Sequence, residues 1–229
     1  MKRHIVGFIV GFLAVAPSWA ASGEAILQER CVQCHDLTGP APTTLEGLWA
    51  RKGPDLFYAG VKYKPEWMER WLQNPTRIRP AGMFYGNHVR TGPDGQDVID
   101  TASLVEHPRL SAAEAKAVTR ALMAKKDAPA PVEKGAYQPG RISLRMGELM
   151  FDKFKGCLAC HQIEPDYGGL SGPEVYTVTE RLQEDFLVAY LRDPHAFDPK
   201  IFMPNKKLKD RDIQKFIHYF RALAKEVKP

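Results

Sequence analysis

Two pentapeptides, Cys31-Val32-Gln33-Cys34-His35 and Cys157-Leu158-Ala159-Cys160-His161, hold all four cysteines of this 229-residue chain. Two thiols three positions apart, followed at once by an imidazole, have the spacing of covalent c-type haem attachment. The thiols form thioethers to one haem, and the adjoining histidine is placed to ligate its iron. Two motifs therefore predict two haems, and the expected work of two haems in a small exported protein is moving electrons. Paired cysteines also serve redox disulfides and four-cysteine zinc sites. Neither chemistry requires a histidine directly after the second cysteine, and neither explains why it recurs. No βαβ pattern of the kind that carries thioredoxin-type motifs is visible.

The elements that must position these residues are written twice. Gly53-Pro54 is followed 21 residues later by Pro75, and Gly172-Pro173 is followed 21 residues later by Pro194. Trp67, Trp71 and Leu72 match Phe186, Tyr190 and Leu191 at a constant offset of 119 residues. Asn74-Pro75 matches Asp193-Pro194, and Pro80 matches Pro199. One methionine then follows in each half, Met83 and Met203. A Gly-Glu pair precedes each cysteine motif, at Gly23-Glu24 and Gly147-Glu148. A repeat of this length is a duplicated domain rather than a solenoid.

The periodicity within each half is helical. Ile213, Phe216, Ile217, Phe220 and Leu223 form one apolar stripe, opened by Asp210 and Asp212 and closed by lysines, as the helix dipole prefers. Leu110 to Met123 is its counterpart. Pro65 to Gln73 and Gln183 to Arg192 read as short helices that stop before proline turns. No run of alternating β-branched residues stands out, so the expected fold class is all-α. Trp67, Trp71, Phe186 and Tyr190 read as core aromatics, and Met68 and Met123 as core methionines. A domain this small has a modest apolar core of its own, and a buried prosthetic group would enlarge it.

The ends and the composition set further limits. Lys2-Arg3-His4, the apolar run Ile5 to Ala16, and Ser18-Trp19-Ala20 have the pattern of a cleaved secretory signal, with cleavage expected after Ala20. The run is too short to span a bilayer as a helix. Export to the periplasm is the expectation, with no membrane span after cleavage. Formal net charge is +5, falling to +3 without Lys2 and Arg3. Haem carboxylates would offset that excess, and no basic run is interleaved with aromatics, so a nucleic-acid partner is not expected. The expected division is a signal over 1–20, a first domain over 21–124, a Pro-rich linker over 125–140 and a second domain over 141–229. Pro129, Pro131 and Pro139 make the linker a semi-extended spacer.

Taken in order, these features resemble a class I cytochrome c, and the duplicated whole resembles the tandem di-haem periplasmic cytochromes c. In each half a helix leads into CxxCH. A Gly-Pro loop, a short helix ending in Asn-Pro or Asp-Pro, a methionine and a terminal helix follow. The resemblance implies that Cys31, Cys34, Cys157 and Cys160 bond two haem c groups and that His35 and His161 are proximal iron ligands. It implies that carbonyls near Pro54 and Pro173 accept the histidine Nδ1–H, and that Met83 and Met203 are the distal ligands. A thioether favours ferrous iron and closes the sixth position, which suits electron transfer rather than oxygen or peroxide chemistry.

The first half departs from the pattern. Far more chain separates Met83 from Leu110 than separates Met203 from Leu208. The extra residues form an insertion over 84–109, with the turn sequence Thr91-Gly92-Pro93-Asp94-Gly95 and two histidines, His88 and His107. Either histidine is an alternative to Met83, and either would lower the potential of the first haem. His195 and His218 read as surface or interface residues. The expected function is single-electron transfer between redox proteins such as a dehydrogenase, a membrane cytochrome complex or a terminal oxidase in a respiratory chain. A cytochrome subunit of a larger dehydrogenase is the alternative, with the insertion as its interface. A di-haem peroxidase-type enzyme would need an open iron. Lys206, Lys207 and Lys209 are candidates for a docking rim around the second haem.

Overall fold

The computed structural model describes residues 22–227. The expected signal segment, residues 1–20, lies outside them. Among the described residues the chain is helix-rich, with strands confined to two short antiparallel ladders. None of the described helices is long and apolar enough to cross a membrane.

In both halves an entry helix, a four-residue helix, a nine-residue helix and a terminal helix follow in that order, and each half adds one further short α-helix at a different place. In the first, α1 (Gly23–Ile26) widens into a π-type turn over Leu27–Cys31. It is followed by α2 (Leu45–Trp49), α3 (Ala59–Lys62), α4 (Pro65–Gln73) and, beyond the insertion, α5 (Ala112–Ala124). In the second, α6 (Leu144–Leu149) widens over Met150–Phe154, and α7 (Val178–Arg181), α8 (Glu184–Arg192), α9 (Pro194–Phe197) and α10 (Asp210–Glu226) follow. The terminal helix is the platform in both: α1, α3 and α4 pack on α5, and α6, α7 and α8 pack on α10. Ser111 caps α5 in a full capping box with Glu114, which fixes where that helix begins. The Gly-Glu pairs have a packing reason. A Cβ on Gly23 would fall 2.0 Å from the Ala117 carbonyl oxygen of α5, and one on Gly147 would fall 2.1 Å from the Tyr219 ring of α10. Each entry helix crosses its terminal helix where only glycine fits.

The insertion contains the first ladder, β1 (Val89–Thr91) with β2 (Asp97–Ile99), joined by a turn that Asp94 closes by accepting the Gln96 N–H at 3.0 Å. The second ladder, β3 (Gln162–Glu164) with β4 (Tyr167–Gly168), follows His161. Both correct the sequence reading, which finds no strands. Segments of two or three residues are too short for a period-two pattern to register.

The halves meet through equivalent residues. Tyr63 and Leu182, 119 positions apart, form an antiparallel bridge. Lys64 N–H donates to the Arg181 carbonyl at 2.8 Å, and Gln183 N–H donates to the Lys62 carbonyl at 2.9 Å. Lys62 and Arg181, and Lys64 and Gln183, stand at the same offset. The contact is therefore isologous, as in a two-fold dimer, although a single chain makes it. Apolar packing is continuous across it: Tyr58 lies 6.0 Å from Phe186 and 6.1 Å from Phe197 between ring centroids, within one buried cluster that includes both halves.

Charge is buried at the same seam. Arg51 binds Asp55 in its own half and Asp198 in the other, and both carboxylates are nearly inaccessible, at 4% and 6% exposure. Arg181 pairs with Glu174 at 3.1 Å. Burial pushes the Asp55 carboxyl up, while Arg51 and Lys62 draw it back.

The linker is extended, as read, but it is strapped down. Asp185 on α8 accepts the Gly135 and Tyr137 N–H groups at 2.8 and 2.9 Å, and Gln214 on α10 bonds both Gln138 and Ala136. His218 reaches the Gln138 carbonyl at 2.8 Å. The expected core aromatics are in place: Phe186 and Met68 are buried, and Trp67, Trp71, Tyr190 and Met123 pack against the core.

Replacing Arg51 by methionine leaves two buried carboxylates without their counter-ion. The expected cost at pH 7 is about 3–5 kcal/mol, read from urea denaturation. A carboxyl whose folded pKa is raised contributes stability below its unfolded pKa, and that contribution is lost as pH rises through the folded value. The penalty of Arg51→Met should therefore shrink at pH 4.

Candidate metal centres

Both cysteine motifs fold into the same turn. His35 N–H donates to the Cys31 carbonyl at 2.9 Å and His161 N–H to the Cys157 carbonyl at 3.1 Å. Cys34 and Cys160 N–H groups donate to the same two carbonyls, both at 3.1 Å. One turn of backbone thus presents two thiols and an imidazole together. It emerges from the widened end of an entry helix, the kind of π-type irregularity that often marks a functional site.

The two histidines are held identically. Nδ1–H of His35 donates to the Pro54 carbonyl at 2.7 Å, and Nδ1–H of His161 donates to the Pro173 carbonyl at 2.7 Å. The proton is thereby fixed on Nδ1, and the Nε2 lone pair is left free. The glycine before each proline makes the approach possible. A Cβ on Gly53 would sit 2.6 Å from Cε1 of His35, and one on Gly172 would sit 2.6 Å from Nδ1 of His161. Burial lowers the pKa of both rings, opposed by the proline bonds. His107 and Lys62 push His35 further down, and Arg79 and Arg181 do the same to His161. The neutral imidazole, which is the form that ligates a metal, is favoured at both sites.

The thiols are all free, with Cys31 and Cys157 half-buried and Cys34 and Cys160 exposed. Burial raises the Cys31 thiol despite Arg30, and raises Cys157 to about 11 despite Lys206. Nucleophilic redox cysteines have the opposite shift. Among the described residues no three His, Cys, Asp or Glu side chains converge to hold a metal ion, so the four cysteines do not gather into a zinc site. The residues instead make two separate, matching stations, each with two thiols, one Nε2 and a glycine packed against the histidine ring.

The insertion histidines have different surroundings. The His107 ring lies 6.2 Å from His35 between centroids, and 4.6 Å from Trp71. His88 bonds Ser103 Oγ at 2.8 Å and packs on Gly82, beside Met83. Met83 and Met203 are both half-buried. His195 Nε2 contacts the Met203 carbonyl at 3.1 Å, securing that loop, while His218 holds the linker. The tip of the insertion, at Gly95, Gln96 and Asp97, joins Ala159 and Gly169 to Ser171 in lining a cleft of about 530 Å³.

Sequence reasoning missed a set of cations that are half-buried or, for Arg181, buried. Arg51, Lys62, Arg79 and Arg181 are scattered along the chain with no motif to group them. Lys62 Nζ lies over the rings of Tyr58, Tyr63 and Phe186 at 5.1 to 5.8 Å. Among the described residues neither Lys62 nor Arg79 has a carboxylate within ion-pair distance. The offset of 119, applied to Asp55 and Lys62, pairs them with Glu174 and Arg181 and was the available signal. No protein-family model, curated protein or solved structure matches the chain.

Gly172→Ala should drive a methyl group into the His161 ring and break the Pro173 bond. A loss of about 1–3 kcal/mol is expected in chemical denaturation. Gly86→Ala, at a position with nothing within 4 Å, is the control and should change little.

Proposed function

We propose that this chain is a di-haem c-type cytochrome that passes single electrons between redox partners outside the cytoplasmic membrane. The observation that carries the reading is the pair of CxxCH turns in which both histidines donate Nδ1–H to the carbonyl of a Gly-Pro at 2.7 Å. That bond orients an iron-ligating imidazole and raises its basicity. Each half is read as one cytochrome c domain, and the two are joined by the isologous seam.

The residues fit the group. Cys31 and Cys34, and Cys157 and Cys160, are free thiols on one turn, available for thioether formation. His35 and His161 supply Nε2 from one face. Met203 is the sixth ligand at the second site. At the first site the sequence offers Met83, His88 and His107. Lys62 and Arg79, half-buried at the seam without carboxylate partners among the described residues, suit the anionic side groups of haem. When bound, the haems supply the one-electron couple. The chain supplies orientation, exclusion of water and a fixed ligand field, so that the iron changes charge with little rearrangement.

The Lys206 ammonium lies close enough to Cys157 to oppose the rise in its pKa. Lys206, Lys207 and Lys209 are exposed there. This supports a cationic rim at the second site that steers anionic redox partners.

Mass spectrometry of the purified protein should show two covalently added haems. Cys157→Ser with Cys160→Ser should lose one of them and keep the other. A polypeptide with no added haem would sink the reading. Reversing Lys206 and Lys207 to glutamate should slow reduction by an anionic inorganic reductant roughly tenfold at low ionic strength, with the difference fading in high salt.

A further inference from the structure

The two halves differ in the segment that leads into the terminal helix, and in the first half that segment brings a second histidine beside His35. In the second half Met203-Pro204 leads through Leu208 to Lys209, the residue before α10. In the first half the segment that leads into the terminal helix is His107-Pro108, followed by Leu110 and Ser111, the cap of α5. Leu110 is buried, and Leu208 packs against the same core. A residue followed by proline thus stands shortly before each terminal helix, His107 five residues ahead of Ala112 and Met203 seven ahead of Asp210. His107 lies at the far end of the long insertion that begins after Met83.

The geometry singles out His107 from the other insertion histidine. Its ring centroid is 6.2 Å from that of His35, with the planes inclined at 55°. Two imidazoles bound on opposite sides of one metal, each through a bond of about 2 Å, have centroids roughly 6 Å apart. Nδ1 of His107 is occupied by the Pro108 carbonyl at 2.9 Å, just as Nδ1 of His35 is occupied by Pro54. In both rings the free nitrogen is Nε2. The His107 ring is braced by Trp71, which is itself stacked on Trp67 at 5.4 Å and tied to the Thr76 carbonyl at 3.0 Å. His88 is engaged elsewhere, by Ser103 and Gly82.

We propose that His107, through Nε2, is the sixth ligand of the first iron, in place of Met83. The inference rests on the di-haem reading above. The first centre then has two imidazole ligands and the second has imidazole and thioether. Imidazole favours ferrous iron less than a thioether does, so the first haem has the lower potential. Electrons gained by the protein settle on the second haem, and transfer from the first to the second is downhill without any proton moving.

The test uses the purified holoprotein, after mass spectrometry has counted its haems. The ferric near-infrared spectrum reports thioether-iron and bis-imidazole charge-transfer bands separately, and a redox titration reports both potentials. The expected wild-type result is one thioether band and one bis-imidazole band per two haems, with two resolved potentials. Met203→Leu should abolish the thioether band, and Met83→Leu should leave its intensity and the lower potential unchanged. His107→Met should double the thioether band and raise the lower potential, and His107→Ala should make half of the iron high-spin. Two thioether bands in the wild type, or Met83→Leu halving the band while His107→Ala changes nothing, would overturn the assignment and leave the di-haem reading standing. A chain that carries no haem would overturn both. If the His107 variants fail to fold, the wild-type and Met83→Leu spectra decide alone.

Discussion

A short hydrogen bond, from histidine Nδ1 to the carbonyl of the proline in Gly-Pro, anchors both halves of this molecule. It links the cysteine turn to a loop nearly twenty residues downstream in the first half and about twelve in the second. It sets the tautomer, leaves Nε2 free and requires glycine beside the ring. The acid after each Gly-Pro, Asp55 or Glu174, is in turn buried and paired with a guanidinium. The bond therefore connects the candidate centres to the seam between the halves. A shift of the Gly-Pro loop would disturb ligand orientation and the buried ion pairs together.

The seam is where duplication becomes architecture. Two copies of one unit meet through the same residues, Tyr63 against Leu182, with the backbone bonds on either side exchanged between equivalent positions. Such a contact joins identical subunits in a dimer, where its strength depends on concentration. Here the linker removes that dependence, and its bonds to Asp185 and Gln214 hold the second half against it. Along this surface Lys62 and Arg79 are half-buried with no carboxylate at ion-pair distance among the described residues. Ions in such a setting are costly unless compensated. These two cations have a physical use if each unit holds an anionic group near the seam, as the proposed haems would.

The copies have also diverged. The second half runs directly from its methionine to the terminal helix. The first half inserts a hairpin and reaches its terminal helix through a histidine and a proline. Under the proposed assignment the two centres would differ in ligand chemistry and in potential, which would turn a symmetric scaffold into a directional one. The hairpin tip meanwhile reaches the loop beside the second cysteine motif and forms one wall of a cleft there. One insertion thus alters the surroundings of both sites.

Much of this was legible from residue order. The helix over Pro65 to Gln73 lies where proline and apolar spacing put it, and α8 and α10 match their periodicity to within a residue or two. The cysteine turns and the core roles of Phe186 and Met68 follow from local spacing and the repeat, and the proline carbonyls that hold His35 and His161 from the resemblance those motifs carry. These are short-range properties, governed by backbone geometry and side-chain period. The strands escaped because two or three residues carry no period. The linker reads only as a semi-extended spacer because its anchors, Asp185 and Gln214, are distant in sequence. The same holds for Arg51 with Asp198 and for His107 beside His35. Composition names the groups able to bond, but only the folded chain brings them within reach. Burial then makes those few contacts matter, because charge and polarity removed from water must find a partner.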